Sequence, residues 1–313
     1  MRNDARFPKE GLRSIFRLCS NSIFRYLYYS IFYTGLSELK KYLSFIKIEH
    51  TLFSLPMIYS GVFLAAREAP SWSLLGLVLT AAVGARLVAM TLNRIIDREI
   101  DKRNPRTIGR ELPSGAMKLA ESYLVLIAGL ALYLLSAKLI SDFCFNLSPI
   151  PLIVFIIYPY LKRFTPLAHF GVGMGLAMGP LGGFFAVTGS AERLGEAMLL
   201  PLFNLFWATG FDIIYSTLDE EFDRKAGLFS FPSRFGKKRA LMISGALHLL
   251  SFGVLVALVA ISLKALIALP FLALSGFLLW LEQRKAEDVE LAFFKINIVV
   301  GLSILLMVLV SVL

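Results

Sequence analysis

The run Asn93-Arg-Ile-Ile-Asp97-Arg-Glu-Ile-Asp101 decides how the rest of this 313-residue chain is read. It closes a long apolar segment, and its polar residues recur at every fourth position. On a helix advancing about 100° per residue, Asn93, Asp97 and Asp101 fall within about 80° of one face. A second run, Asp212-Ile-Ile-Tyr215-Ser-Thr-Leu-Asp219-Glu-Glu-Phe-Asp223, closes another apolar segment. Its spacing predicts one narrow stripe of Asp212, Tyr215, Asp219 and Asp223 on a continuous helix. A helix C-terminus is already the negative end of the macrodipole, so carboxylates gathered there need cations. Two helices presenting five of them suggest a divalent metal site.

The surroundings are those of a membrane. The chain is 57% hydrophobic, only 17% charged, and has a mean hydropathy of +0.70, which excludes an ordinary soluble domain of this length. Nine apolar stretches, each near the roughly 20 residues that cross a bilayer, lie near 42–66, 71–97, 117–138, 143–161, 166–190, 195–218, 238–262, 265–282 and 291–313. Gly173, Gly175, Gly179, Gly182 and Gly183 make the fifth suited to close helix contact in lipid. The fold class expected is therefore an all-α integral membrane protein with nine transmembrane helices.

Lys and Arg set the orientation. With the N-terminus in the cytoplasm, all basic residues fall on the inner side except Arg67, Lys138, Arg193 and Lys264 outside and Arg86 within a helix. That arrangement puts the C-terminus outside and both Asp motifs on the cytoplasmic face. The net charge of +10 then reflects topology and attraction to phospholipid, with no role for nucleic acid. Cys19 and Cys144 suggest neither a disulfide framework nor a metal site. Residues 1–40 mix Arg2, Arg6, Lys9, Arg13, Arg17 and Arg25 with aromatic residues and lack a signal-peptide cleavage pattern. They are expected to be an extension that lies on the inner surface or is unstructured, ahead of a membrane domain at 41–313.

A faint repeat relates the two halves. Each acidic helix end is followed by a loop rich in Arg, Pro, Ser and Gly: Asn104-Pro-Arg106-Thr-Ile-Gly-Arg110-Glu-Leu-Pro-Ser-Gly115 and Arg224-Lys-Ala-Gly227-Leu-Phe-Ser-Phe-Pro-Ser233-Arg234-Phe-Gly236. Packed as a bundle, the halves would face their acidic stripes across a cavity. Hard oxygen ligands without His or Cys partners select Mg²⁺. Arg106, Arg110, Lys162 and Arg163 could neutralise phosphate charge, Arg favouring bidentate contact. The ligand so described has a diphosphate head and a greasy tail, which is an isoprenyl diphosphate.

At these residues the chain resembles the UbiA family of intramembrane prenyltransferases. The resemblance covers 42–313 and rests on both Asp motifs, the opening Asn93, the N-P-R-T-x-x-R-x-L-P-S-G loop and Tyr158-Pro-Tyr-Leu-Lys162-Arg-Phe-Thr-Pro-Leu-Ala-His169. It implies a nine-helix bundle around a central cavity, with short cytoplasmic cap segments. It places Mg²⁺ and diphosphate roles on Asn93, Asp97, Asp101, Asp212, Asp219 and Asp223, with Asn93, Asp97, Asp101, Asp219 and Asp223 as the metal set. It also implies diphosphate contacts from Arg110 and Lys162, and an orienting hydroxyl from Tyr215. The opening helix, Phe45-Ile-Lys47-Ile-Glu49-His50-Thr-Leu-Phe-Ser-Leu-Pro56, resembles the branch of 4-hydroxybenzoate polyprenyltransferases. Phe229 and Phe231 depart from the family's usual second loop, where smaller residues stand.

The function expected is Mg²⁺-dependent transfer of an isoprenyl group from a prenyl diphosphate to an aromatic acid or quinone precursor. A glycerol-phosphate lipid acceptor is the alternative, and no protein partner is implied. A transporter would hold ions near the midplane between broken helices, not at one face beside Arg-rich loops. A CDP-alcohol phosphotransferase would carry a D-G-x-x-A-R signature that is absent. His50 and His169 read either as bases for the aromatic proton or as packing partners, and His248 as structural. Lys47 and Glu49 read as an interfacial pair or as contacts to an aromatic carboxylate. Arg94 and Arg98 read as headgroup anchors or diphosphate contacts, and Glu99, Glu220 and Glu221 as solvated helix ends.

Overall fold

The computed structural model describes residues 38–313 apart from Lys264. The expected N-terminal extension 1–40 thus lies almost wholly outside the described residues. Contacts divide the chain into a unit ending at Phe45 and a unit Ile46–Leu313. In the first, residues 38–45 are helical, with Lys41 paired to Glu38.

The second unit has helices joined by loops and no strand among its described residues, and nine of its helical spans are long and apolar enough to cross a membrane. Its principal helices are α1 (Thr51–Ala66), α2 (Trp72–Asp101), α3 (Leu119–Ile140), α4 (Pro149–Leu161), α5 (Ala168–Thr188) and α6 (Leu199–Ser216). Two short helices follow, α7 (Glu220–Ala226) and α8 (Phe231–Phe235), then α9 (Lys237–Ser262), α10 (Ala265–Arg284) and α11 (Asn297–Val312). Ser71 caps α2 by accepting from the Leu74 amide at 3.2 Å. That helix runs four residues past the expected boundary, so the whole first Asp motif is helical.

Three differences from the expected spans have local causes. The first span does not run unbroken from residue 42, because the chain leaves the helix at Ile46 and Lys47, with Lys47 in the left-handed region (φ 50°). The fourth is split at Ser148 into Asp142–Leu147 and α4, with Pro149 opening the second piece, where it costs no helix hydrogen bond. The sixth is interrupted by a 3₁₀ turn at Thr217–Asp219. The predicted run from Asp212 to Asp223 is therefore not one regular α-helix, although Asp212, Tyr215, Asp219 and Asp223 all line the same cavity.

Packing separates a dense side from an open one. The main apolar core, built on Trp207, Phe203, Phe211, Met57 and Leu258, is shared by α1, α5, α6, α9, α10 and α11. Successive helices close on one another, α5 on α1 and α6, α6 on α9, α9 on α10, α10 on α11 and α11 on α1. Gly61 and Gly183 permit the α1–α5 contact: a Cβ at Gly61 would lie 2.0 Å from the Pro180 carbonyl oxygen, and one at Gly183 would lie 2.2 Å from that of Ile58. Helices α2 and α4 complete the ring beside α5, with α3 laid against the outside of α2. Between α2, α4, α5 and α1 the packing opens into a cavity of about 830 Å³.

Candidate active site

One face of α2 forms the spine of this cavity. Ala81, Ala85, Ala89, Asn93, Asp97 and Asp101, each four residues from the last, all line it. At about 40° of drift per step they make one shallow spiral, small and apolar for three turns and then polar for three. Opposite, Gly171, Gly175, Gly179 and Gly182 of α5 keep the wall thin. The cavity is thus a slot with a polar end and an apolar length.

At the polar end each carboxylate of the first motif meets a cation. Asp97 Oδ2 accepts from Lys162 Nζ at 2.6 Å and from Asn93 Nδ2 at 3.2 Å. Arg163 stands 3.5 Å from Asp97 Oδ1 while donating to the carbonyls of Pro159 and Ile96, both at 2.9 Å. Asp101 accepts from Arg110 Nη1 at 2.8 and 2.7 Å, and its carbonyl accepts from the Thr107 hydroxyl at 3.0 Å. Asp97 and Asp101 are only 2% and 4% exposed, burial that unpaired carboxylates would not tolerate.

The second motif is reached by the loop of the first. Asn104 Nδ2 donates to Asp219 Oδ1 at 2.7 Å, and Arg106 Nε donates to the same oxygen at 2.8 Å. Arg106 Nη2 takes Asp219 Oδ2, so the guanidinium grips the carboxylate with two nitrogens. Its Nη1 donates to the Tyr215 hydroxyl at 2.8 Å. Burial alone would lower the Arg106 pKa, but its bonds to Asp219 and Tyr215 hold it above the ordinary arginine value. The loop after the first motif therefore meets the second motif at the polar end of the cavity.

Asp212 and Asp223 take different surroundings. Both line the cavity. Asp212 Oδ2 lies 2.7 Å from His169 Nδ1, and the Phe231 amide approaches His169 Nε2 at 3.4 Å. An amide only donates, so Nε2 accepts and Nδ1 carries the hydrogen that bonds Asp212. Phe229 further donates its amide to the Lys162 carbonyl at 2.8 Å. The first residue of α8 is thus tied to α5 and the segment before it to the end of α4, and Arg234 stacks on Phe229 at 3.6 Å.

The donors at the polar end are all hard oxygens, the chemistry that a divalent cation such as Mg²⁺ prefers. Among the described residues no three His, Cys, Asp or Glu side chains converge tightly enough to cage an ion. Mg²⁺, however, binds through one or two carboxylates with substrate phosphates filling the rest of its shell. Asp97 Oδ1, buried and without a hydrogen-bond partner, offers such an oxygen at the polar end. Oxygen donors from Asp and Asn fit Mg²⁺ on these terms.

Other predicted residues separate into groups. Arg94 is buried and lines the cavity, whereas Arg98 is exposed beside Glu99. Glu220 and Glu221 pair with Arg224 and Lys225 one turn on. Lys47 pairs with Glu49 at 3.4 Å. His50 lines the cavity and packs against Phe53, Phe293 and Phe294. Buried His248 meets Gln283 Nε2 at 2.9 Å. Spacing gave no role to Asn104 or Arg86. Arg86 lies about three turns before Asp97, lines the cavity, donates to the Lys47 carbonyl at 2.7 Å and leaves Nε buried without a partner. A charged residue in the middle of a membrane helix was its one visible signal.

The chain is similar to known proteins in sequence and in fold. Residues 54–299 match the model of the UbiA prenyltransferase family. A 4-hydroxybenzoate octaprenyltransferase from Aliivibrio salmonicida is 28% identical over 274 residues, covering 85% of this chain and 95% of its own. The apo structure of a UbiA homologue from Aeropyrum pernix is 38% identical, with a TM-score of 0.77, covering 84% of this chain and 98% of that one. A UbiA homologue from Archaeoglobus fulgidus, bound to GPP and Mg²⁺, shares the fold at a TM-score of 0.63 and 20% identity, covering 83% and 99%. The chain belongs to the UbiA prenyltransferase family and is a multi-pass membrane prenyltransferase.

Proposed function

We propose that this enzyme transfers a prenyl group from a prenyl diphosphate to an aromatic acid, in a Mg²⁺-dependent reaction at the polar end of the cavity. The observation that carries the reading is the inner stripe of α2, which passes from carboxylates at Asp97 and Asp101 to alanines at Ala89, Ala85 and Ala81. A diphosphate head with an isoprenoid tail has the same polarity along its length. Asn93, Asp97, Asp101, Asp219 and Asp223 are the residues proposed to hold Mg²⁺, which supplies charge neutralisation for the leaving diphosphate. Arg110, Lys162 and Arg106 bind its oxygens, and Asp212 and Tyr215 orient the groups around them.

As the allylic C–O bond breaks, these cations hold the departing electron pair on the diphosphate. An aromatic ring carbon then attacks the allylic carbon, and the ring proton passes to the released diphosphate as aromaticity is restored. Arg86 supports an acid acceptor: this cation lines the cavity about three turns before Asp97, beside the alanines of α2, with its Nη2 bonded to the Lys47 carbonyl and its Nε unpartnered. A relative named 4-hydroxybenzoate octaprenyltransferase points the same way. We further read the Asp motifs as cytoplasmic, the C-terminus as outside, and residues 41–313 as the working domain.

The test is product analysis by mass spectrometry. The purified full chain is given an allylic diphosphate and either 4-hydroxybenzoate or a glycerol-phosphate lipid, with Mg²⁺ or with EDTA. Prenylated 4-hydroxybenzoate formed only with Mg²⁺ is expected. Product on the glycerol phosphate alone would transfer the reading to an ether-lipid acceptor, and equal product in EDTA would remove the metal.

A further inference from the structure

Outside the cavity lies a buried polar cluster that the reaction described above does not use. Trp207 of α6, Glu282 of α10 and Asn297 at the start of α11 are each 1% exposed or less. The Trp207 indole donates to Asn297 Oδ1 at 2.8 Å. An indole N–H can only donate, so this bond fixes which end of the Asn297 amide is oxygen. Its nitrogen is thereby turned toward Glu282 Oε1 at 3.1 Å, the Phe293 carbonyl at 2.9 Å and the Ala292 carbonyl at 3.3 Å.

Those carbonyls belong to a π-helical turn, Leu291–Ile296. A π turn is costly and its carbonyls are displaced from their α-helical partners; such turns recur at functional sites. Here the Asn297 side chain holds the turn from below. On its other side the turn carries Phe293, which lines the cavity. The Phe293 ring lies 4.4 Å from that of Tyr215, 5.3 Å from Phe211 and 5.4 Å from His50. Tyr215 leads through Arg106 to Asp219, the diphosphate end. His50 lies beside the Lys47 and Arg86 end of the same cavity. Phe293 is thus the ring between the site of bond breaking and the cation offered to the acceptor.

We propose that Phe293 is a specificity-determining residue for the aromatic acceptor, and that Asn297, locked by Trp207 and Glu282, is the positioning residue that holds it in place. This rests on the prenyl-transfer reading above and names which wall of that site meets the acceptor ring. An aromatic face beside a flat ring gains an offset or edge-on contact that an aliphatic side chain of similar volume lacks.

The experiment is steady-state kinetics on the full chain in detergent, with acceptor KM, donor KM and kcat measured separately. Phe293→Leu is expected to raise the acceptor KM by about five- to tenfold and to leave the donor KM within about twofold. Phe293→Tyr should restore the acceptor KM. Asn297→Asp still accepts from Trp207 but loses both donors to the π turn, so it should shift the acceptor KM as Phe293→Leu does. An unchanged acceptor KM in folded Phe293→Leu overturns the proposal, as does a fall in kcat with both KM values unchanged, the mark of a merely structural role. Should Asn297→Asp not fold, the Phe293 pair still decides. Wild-type protein that prenylates a different acceptor would instead count against the aromatic-acid reading, and an unchanged KM for that acceptor in Phe293→Leu would overturn the Phe293 proposal separately.

Discussion

The two acidic motifs look like repeats in sequence and are built differently in space. The first occupies an unbroken helix, so its period of four places Asn93, Asp97 and Asp101 along one face of the cavity. The second is broken by the 3₁₀ turn Thr217–Asp219, which separates Asp212 and Tyr215 on α6 from Asp223 on α7. The first motif is a rigid rail whose partners, Lys162 and Arg110, come to it. The second contains a 3₁₀ turn, here called the corner, at which Asp219 meets Asn104 and Arg106 from the opposite half. In the proposed reaction the rail would fix where the diphosphate lies; the bonds at the corner join the two halves.

This contrast orders the expected effects of substitution. Asp97→Asn and Asp101→Asn keep the size of the side chain but remove a charge from the rail. Each should lower turnover by about a thousandfold or more with the protein still folded, measured as prenylated product per unit time at saturating Mg²⁺. Arg106→Lys keeps a charge but loses the two-nitrogen grip on Asp219 and the bond to Tyr215. A fall of about tenfold to a hundredfold in kcat/KM for the donor is expected.

Asp212 is bonded to His169. Asp212→Asn and His169→Gln should each reduce kcat by about tenfold, and the double variant should be little worse than either, because the pair works as one unit. Additive losses in this double-mutant cycle would show that Asp212 has an independent partner. At the far end of the scale, Glu220→Gln and Glu221→Gln remove only exposed one-turn ion pairs on α7. Activity and thermal midpoint should stay within error, since solvent screening leaves such exposed pairs with little effect on stability.

What the sequence disclosed follows the same division. The nine spans were legible because hydropathy over some 20 residues is a local property, and the rail was legible because a straight helix preserves its period. The Ser148 break was signalled by Pro149 and Pro151, although an unbroken span was expected. The corner at Thr217–Asp219 carries no Pro or Gly; Asp219 is held there by residues more than 110 positions away, which periodicity cannot report. The His169–Asp212 pair and the Asn297 staple beneath Phe293 are equally long-range. Arg86 was visible as an intramembrane charge, but its bond to the Lys47 carbonyl depends on a left-handed turn that spacing does not encode.

The central claim is that rail and corner grip one diphosphate together. Its most direct measurement is Mg²⁺-dependent binding of a prenyl thiodiphosphate, whose C–S bond resists cleavage, to the wild-type chain and to the Asp97→Asn and Asp219→Asn variants. The account predicts tight binding by the wild type, its loss on adding EDTA, and a comparable loss of Mg²⁺-dependent affinity in each variant. Undiminished Mg²⁺-dependent binding in Asp219→Asn, with binding lost only in Asp97→Asn, would contradict it by leaving the second motif outside the site.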